Sequence, residues 1–340
     1  MTAVPGSKRA LRASPAAPQR DESARRRRHV LLRRVLTGLF FALVLVLLVN
    51  QARHVDWSRV GQSLSSLPLR FIALAALLAA TSHALYAQYD LLGKRYTGHS
   101  LARARVVAVT FVSYAFNLNL GTLVGGVAFR LRLYSRLGLP GDVIARVLTL
   151  SLVTNWLGYG LLAGVLFMVA PLELPPQWKL DSSGLRWVGA AMTAIALGYV
   201  GLCAFAGRRD WRIGSHEFHL PSGRMALLQL VMSTINWAVI GGVLYMLFQQ
   251  RISYGTVLGV FCVAAVAGVL AHVPAGLGVL EAVFALLLSH RVSTDEVVGV
   301  LLAYRALYYL APLLVALVVY AVLESHAKRE RRAAAAPPGT

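Results

Sequence analysis

The chain has 340 residues, of which 57% are hydrophobic and 14% charged, and its mean hydropathy is +0.62. It carries more apolar surface than one water-soluble core can bury, which excludes a soluble globular protein and predicts a polytopic membrane protein. The 34 lysines and arginines outnumber 14 acidic residues, so the formal net charge is +20. Because these cations lie between apolar segments, membrane topology and anionic lipid headgroups explain them, and no nucleic-acid partner is predicted.

The chain begins with a polar segment rich in Pro, Ala, Ser and Arg that ends in the run RRRRHVLLRR at 25–34. This composition cannot form a core. We therefore predict a disordered basic tail at 1–30, a transmembrane helical domain at 31–325 and a basic C-terminal tail at 326–340. The stretch 35–49 resembles part of a signal peptide, but no clean small-residue cleavage site follows it, which predicts an uncleaved first anchor.

Apolar segments long enough to cross about 30 Å of hydrocarbon then follow one another along the chain. They are predicted to be helices, because a backbone in lipid must satisfy its own hydrogen bonds. The fold class is therefore all-α, a polytopic helical membrane protein with seven to eight spans. The predicted spans are 35–50, 71–92, 106–124, 143–170, 187–206, 226–248, 254–273 and 296–323. A further apolar piece, 275–289, is short.

The distribution of basic residues contradicts a simple count of crossings. If every apolar segment crossed once, the basic loops 94–105 and 130–146 would lie on opposite sides of the membrane. The positive-inside rule favours both loops in the cytoplasm, together with the N-terminus and the basic C-terminal tail. Segment 106–129 is therefore predicted to enter the membrane and return.

Two glycine-rich breaks permit such a return. NLNLGTLVGGVAFR at 117–130 holds two asparagines and three glycines, which disfavour an unbroken, lipid-exposed helix. PAGLGVLEAVFALLL at 274–288 has a similar design of break, short helix and ionisable residue. Two interrupted apolar segments, one in each half of a chain, indicate a transporter binding site.

Four stretches carry a resemblance to a known family: NLNLGTLVGGVAFRLRLYSRLGLP, TNWLGYGLLAGV, HVPAGLGVLEAVF and LLAYRALYYLAP. They resemble the transmembrane domain shared by lysylphosphatidylglycerol synthases and many stand-alone bacterial inner-membrane proteins. The resemblance implies a flippase-like domain that binds anionic phospholipid and moves it between leaflets of the cytoplasmic membrane. Since only a short basic tail follows Glu324, it implies no lysyl transfer. At the first break, Gly121 and Thr122 stand where the family pattern suggests a proline.

Glu281 is a lone carboxylate in an apolar stretch, and at membrane depth it costs about 2.5–3.5 kcal/mol unless it is paired or protonated. Arg130 and Arg305 are its candidate partners. In one interpretation both arginines bind a lipid phosphate, while Glu281 balances their charge or takes up a proton. In another, Glu281 and one arginine form a buried salt bridge that holds two helices in register. In a third, Glu281 reaches the membrane interface.

The remaining candidate ligand residues flank these charges. A helix that starts near Gly276 would offer free backbone N–H groups to a phosphate, and glycines there would let the ligand approach the backbone. The full set of candidate ligand-binding residues is Arg130, Glu281, Arg305, Asn117, Asn119, Gly125, Gly126, Gly276, Gly278 and Tyr304.

Other polar residues receive structural interpretations. Asp90 is interpreted as an end-of-helix charge, and His83 and His272 as hydrogen-bonded structural residues. Three tyrosines resemble an interfacial belt: Tyr304, Tyr308 and Tyr309. No catalytic or metal-binding motif is present, so no cofactor and no enzymatic activity are predicted. The alternatives are a membrane-embedded lipid-modifying transferase and a scaffold for an envelope lipid enzyme.

Overall fold

The computed structural model describes residues 57–170, 181–206, 210–213, 216–271 and 276–335, together with a few single positions elsewhere. The predicted tail at 1–30 lies outside the described residues, as do His272 and most of the first predicted span.

The continuous described stretches form α-helices, two π-helical segments and one short antiparallel β-hairpin. The elements are α1 (Trp57–Ser66), α2 (Leu69–Thr97), α3 (Arg103–Leu120), π1 (Thr122–Ala128), α4 (Phe129–Arg136), α5 (Gly141–Val169), α6 (Ser182–Phe205), β1 (Asp210–Ile213), β2 (His216–His219), α7 (Gly223–Leu247), α8 (Tyr254–Leu270), α9 (Val279–Leu288), α10 (Thr294–Tyr304), π2 (Arg305–Leu310) and α11 (Ala311–Ala335).

Five helical stretches in the described part of the chain are long and apolar enough to cross a membrane. They are α2, α5, α6, α7 and the stretch Thr294–Ser325, which runs from α10 through π2 into α11. All five coincide with predicted spans, and the fold is that of a polytopic helical membrane protein. α8 and α9 are apolar but shorter.

Local side chains fix several helix ends. Ser222 and Ser293 lie just before α7 and α10, and each hydroxyl accepts a hydrogen bond from the backbone N–H three residues later, at 3.3 Å. These bonds satisfy N–H groups that have no partner within the helix. α2 ends at Thr97, and the following Gly98 has a φ of 70°, the left-handed conformation common just after a helix.

The segment predicted to enter the membrane and return reverses its direction at Gly121. α3 stops at Gly121, whose φ of 81° and ψ of 169° are accessible almost only to glycine. The following π1 then packs back against the end of α3. A β-carbon on Gly125 would collide with the backbone of Phe116 and Asn117. Gly121 thus makes the sharp reversal for which the sequence pattern suggested a proline.

The C-terminal end of α4 lies beside the junction between α2 and α3. The Tyr134 ring lies 6.5 Å from the ring of His99, which follows α2. α11 reaches the same place, since Arg136 pairs with its Glu324. The basic loops 94–105 and 130–146 therefore share one end of the helical bundle with the C-terminal part of α11.

α8 and α9 form a second hairpin that enters from the opposite end. α8 follows a tight turn after α7, and α9 returns to that turn, where the rings of Phe248 and Phe284 stack 6.1 Å apart. In the same turn Arg251 pairs with Glu296 of α10, with 3.1 Å between Nη1 and Oε1. The predicted span 254–273 is therefore one arm of a hairpin, and the short piece 275–289 forms the other.

Cysteine labelling tests this arrangement of ends. In a background where both native cysteines are replaced by alanine, Ser100→Cys and Ser135→Cys should react with an impermeant reagent from one face of the membrane, and Ser289→Cys from the other. All three serines are exposed. The two-hairpin fold is wrong if Ser100→Cys and Ser135→Cys are labelled from opposite faces.

Substituting Gly125 tests the close packing at the first break. Gly125→Ala should lower the thermal unfolding midpoint of the detergent-purified protein, because overpacking typically costs about 1–3 kcal/mol. A matched control is Gly201→Ala in α6, where a β-carbon would meet no described atom within 4 Å. Since alanine favours helix over glycine by about 1 kcal/mol, the control should keep or raise the midpoint. Equal midpoints for both variants would contradict the packing described.

Candidate functional site

π2 connects the two helix breaks inside the bundle. Asn119, beside the first break, donates from Nδ2 to the Tyr309 carbonyl at 3.2 Å. At the other end of π2, Arg305 donates from Nη2 to the carbonyl of Gly276 in the second break, also at 3.2 Å. π-Helical turns occur frequently at functional sites, and here one short segment holds both breaks together.

Glu281 pairs with Arg305. The Nε atom of Arg305 lies 2.8 Å from Oε1 and its Nη2 atom 3.1 Å from Oε2, so the contact is bidentate. The arginine side chain is 6% exposed, whereas the Glu281 side chain is 23% exposed. Arg305 also lies over the ring of Tyr309, with 5.7 Å from Cζ to the ring centroid. The pair is thus buried on the arginine side and accessible on the carboxylate side.

α9 begins at Val279, three residues after the position near which the sequence predicted the helix start. Gly276 and Gly278 have φ values of 59° and 78°, left-handed conformations that keep both residues out of the helix. The Gly278 N–H donates to Oε2 of Glu281 at 2.9 Å. The protein's own carboxylate therefore occupies the position at the helix start that the sequence suggested for an anion. Among the described residues, no atom lies within 4 Å of a β-carbon built on either glycine.

Arg130 does not pair with Glu281 but with Asp90. Its Nε atom lies 3.0 Å from Oδ2 of Asp90, and the Tyr134 hydroxyl donates to the same oxygen at 2.8 Å. Both charged side chains are sealed from solvent, at 3% and 0% exposure. Arg130 also reaches Ser151 Oγ at 3.4 Å. The two arginines therefore belong to two separate ion pairs.

The interpretation of Asp90 as an end-of-helix charge is wrong. It relied on the basic residues that follow Asp90 in α2, whereas the actual partner is Arg130, from a different helix. One signal in the sequence was available. Asp90 is the only acidic residue between positions 57 and 141, and thus the only local counter-charge for an arginine in an apolar segment.

The glycines and asparagines of the first break have packing roles in this structure. Gly125 and Gly126 are buried against α3, and a β-carbon on Gly126 would lie 3.1 Å from Oδ1 of Asn117. Asn119 also donates to the Ala115 carbonyl at 2.8 Å. Close approach to the backbone of α3 accounts for Gly125, and close approach to the Asn117 side chain accounts for Gly126. A role of these residues in ligand binding stays a prediction.

The tyrosines around Arg305 are mostly core residues. Tyr304 and Tyr308 are each 1% exposed, and their rings stack 5.3 Å apart. The interpretation as an interfacial belt is therefore wrong for these two. Tyr304 joins the main apolar core, and its ring lies 6.5 Å from that of Phe261 in α8.

Comparisons with known proteins identify the family of this chain. Residues 35–316 match the sequence profile of the family described as the lysylphosphatidylglycerol synthase TM region. The chain belongs to this family. Both ion pairs, both helix breaks and π2 lie within the family region.

The matching region makes up most of some related proteins and about a third of others. The chain is 47% identical over 302 residues to the inner membrane protein YbhN of Escherichia coli, which covers 88% of this chain and 95% of that protein. An uncharacterised protein of Synechocystis is 30% identical over 276 residues, covering 80% and 85% of the two chains. The phosphatidylglycerol lysyltransferase of Staphylococcus haemolyticus is 21% identical over 295 residues, 85% of this chain but 34% of that enzyme.

Proposed function

We propose that this protein binds the phosphate of an anionic phospholipid at the Glu281–Arg305 pair and moves the lipid between leaflets of the cytoplasmic membrane. The observation that carries the proposal is a partly exposed ion pair held between two broken helices that enter from opposite ends. Transporter sites are built in this way, at interrupted helices near the middle of the bilayer.

The pair offers a mechanism for taking up and releasing a phosphate. A phosphate presents oxygens with the same spacing as a carboxylate, so it can replace Glu281 on the guanidinium of Arg305. The Gly278 N–H, now bound to Glu281, is a second donor for the incoming anion. Because Glu281 is the more exposed partner, it is the one that can swing aside. Arg305 then keeps a counter-charge throughout, which reduces the cost of a charge at membrane depth.

The relatives support the lipid class and the location. The name of the staphylococcal relative states that it acts on phosphatidylglycerol, an anionic phospholipid, and YbhN is named as an inner membrane protein. We extend both features to this chain. The positive-inside rule then assigns the basic end of the bundle, with the C-terminal part of α11, to the cytoplasm.

Reconstitution tests the proposal. The purified full chain is placed in phosphatidylcholine vesicles with fluorescent phosphatidylglycerol, and leaflet exchange is followed by bleaching of the outer leaflet. Wild-type protein and Arg251→Gln, which alters an exposed ion pair, should exchange lipid faster than empty vesicles, and Arg305→Gln should not.

Two results would contradict the proposal in different ways. Exchange no faster than in empty vesicles refutes translocation and favours a scaffold. A chemically altered phosphatidylglycerol in the extracted lipid favours a membrane-embedded transferase.

A further inference from the structure

A buried polar core lies between the two ion pairs. It consists of Ser82, His83, Tyr114, Asn236 and Tyr308, all buried. The Ser82 hydroxyl donates to Oδ1 of Asn236 at 2.7 Å and lies 2.7 Å from the Tyr308 hydroxyl. The hydroxyls of Tyr308 and Tyr114 are 2.8 Å apart. Four helical elements, α2, α3, α7 and π2, thus place a chain of hydroxyl and amide groups in an otherwise apolar bundle.

His83 is the one side chain of this core that can become a cation by binding a proton. Its Nδ1 atom lies 2.9 Å from the Ala79 carbonyl, so the neutral ring donates there and has a lone pair on Nε2. Nε2 is buried, and no described protein atom accepts or donates to it. Burying a polar atom without a hydrogen bond costs several kcal/mol of folding free energy in an apolar medium. A bound water or a bound proton on Nε2 would remove that cost.

Three aromatic rings pack around His83. The ring centroids of Phe111, Tyr114 and Tyr308 lie 5.9, 5.1 and 4.9 Å from that of His83. Rings at about this distance attract a cation electrostatically. The titratable groups that face His83 from α3 and π2 are these two tyrosines, and α7 contributes the neutral amide of Asn236. No described charged side chain lies among these ring and hydroxyl contacts, so His83 is neutral here and a proton on it needs a nearby anion to balance its charge.

Each ion pair lies at one end of this core. Tyr86 stacks on Tyr114 at 3.6 Å, and its ring centroid is 5.7 Å from Cζ of Arg130. On the other side, the rings of Tyr308 and Tyr309 are 5.9 Å apart, and Tyr309 lies under Arg305. The Glu281–Arg305 pair, which is the proposed headgroup site, therefore contacts the polar core through two neighbouring tyrosines of π2.

We propose that His83 binds a proton when an anionic headgroup binds at Glu281 and Arg305, so that lipid movement is coupled to proton movement across the membrane. This inference rests on the proposed function. Both ion pairs are neutral, so an arriving phosphate adds a net negative charge, which a proton on Nε2 of His83 compensates. The proton comes from water on one side of the membrane and returns to water on the other, and the only bond that forms and breaks is N–H.

A substitution at His83 can remove the proton site and keep the local structure. Asn119 already donates from its side-chain amide to the carbonyl four residues earlier in α3. In His83→Asn the amide can make the same bond to the Ala79 carbonyl, but it cannot be protonated. His290→Asn, at an exposed histidine, is the matched control. Tyr308→Phe is a second variant, which removes the hydroxyl that contacts Ser82 and Tyr114.

The experiment uses the same vesicles with a pH gradient and a membrane potential clamped at zero. For one proton per lipid, a gradient of about one pH unit should distribute labelled phosphatidylglycerol about tenfold between the leaflets, as a tenfold ratio corresponds to 1.4 kcal/mol. A pH dye in the vesicle lumen should report the accompanying proton flux. His290→Asn should behave like wild type. His83→Asn should exchange lipid at equal pH more slowly than wild type and lose the asymmetric distribution, and Tyr308→Phe should weaken the asymmetry.

The possible failures are distinguishable. If wild-type protein exchanges lipid but gives an equal distribution at every gradient, proton coupling is refuted and translocation stands. Retention of the full asymmetry in both His83→Asn and Tyr308→Phe also refutes the role of the polar core. If wild-type protein exchanges no lipid at any pH, the proposed function fails, and this inference fails with it.

Discussion

Glu281→Gln and Arg305→Gln are expected to change the binding of anionic phospholipid in opposite directions. Glu281→Gln removes the carboxylate that competes with phosphate for the guanidinium, so binding should become tighter and leaflet exchange slower. Arg305→Gln removes the bidentate donor, and binding should weaken. A hydrogen bond to a charged group contributes about 1.5–3 kcal/mol, so each shift in affinity should be roughly 10-fold to 100-fold.

The double variant Glu281→Gln/Arg305→Gln separates a ligand site from a purely architectural salt bridge. Glu281→Gln alone leaves the nearly buried Arg305 without its counter-charge, and breaking a buried pair costs about 3–5 kcal/mol. Neutralising both partners should restore most of that stability. If the pair binds lipid, the double variant is stable but does not exchange lipid. Restored exchange in the double variant would show that the pair only holds two helices in register.

Affinity and stability can be read from one measurement. Thermal unfolding midpoints of the purified variants are recorded with increasing phosphatidylglycerol and, separately, phosphatidylcholine. A lipid that binds only the folded protein raises the midpoint as its concentration increases. The control pair Arg251–Glu296 is exposed, so its neutralisation should change neither the midpoint nor the lipid response.

Asp90→Asn is expected to have the largest effect on stability. The substitution leaves Arg130 charged in a site with 3% side-chain exposure, where the nearby hydroxyl groups cannot neutralise it. The expected loss is about 3–5 kcal/mol, which is a large share of the stability of a typical domain. The yield of monodisperse protein and the unfolding midpoint should both fall sharply.

A surface ion pair supplies the control for Asp90→Asn. Asp142 and Arg146 are four residues apart in α5, exposed, and separated by 2.6 Å between Oδ2 and Nη2. Asp142→Asn removes the same kind of charge from a pair that solvent screens, so no measurable destabilisation is expected. If Asp90→Asn and Asp142→Asn unfold at the same temperature, the Asp90–Arg130 pair is not buried as described.

The overall architecture could be predicted because membrane constraints act on the sequence directly. Five spans follow from apolar length, and they agree with the five long helices. The hairpin of α3, π1 and α4 could be predicted because the basic loops on either side of it favour the same side of the membrane and because glycines lie between them. At Gly121 only glycine can adopt the backbone angles of the reversal, so the sequence identified the break, although not the π-helical shape of the return.

The pairing of charges could not be predicted, because it depends on which helices come into contact. The sequence presented Arg130 and Arg305 as equivalent partners for Glu281, and only the packing of π2 against the second break distinguishes them. Asp90 was misinterpreted for the same reason, since its partner lies 40 residues away in the chain. Charged residues that are close in sequence are therefore weak evidence for an ion-pair partner when a residue of another helix lies closer in the folded bundle.

The start of α9 depended on a conformational detail. A helix after a glycine-rich break normally offers its first N–H groups to a ligand, which made Gly276 the expected start. The left-handed conformation of Gly278 delays the helix to Val279, and Glu281 then lies within reach of the free N–H of Gly278. A carboxylate three residues into a helix is a common cap. The sequence was therefore compatible both with Glu281 as the cap of α9 and with a free helix start that binds a ligand.

The most direct test of the headgroup site is photolabelling with a phosphatidylglycerol that carries a diazirine on its headgroup. The site proposed at Glu281 and Arg305 predicts adducts on peptides 276–281 and 305–309, which excess unlabelled phosphatidylglycerol suppresses and Arg305→Gln abolishes. Adducts confined to outward-facing side chains such as Leu123 and Trp187, and unchanged by Arg305→Gln, would contradict it.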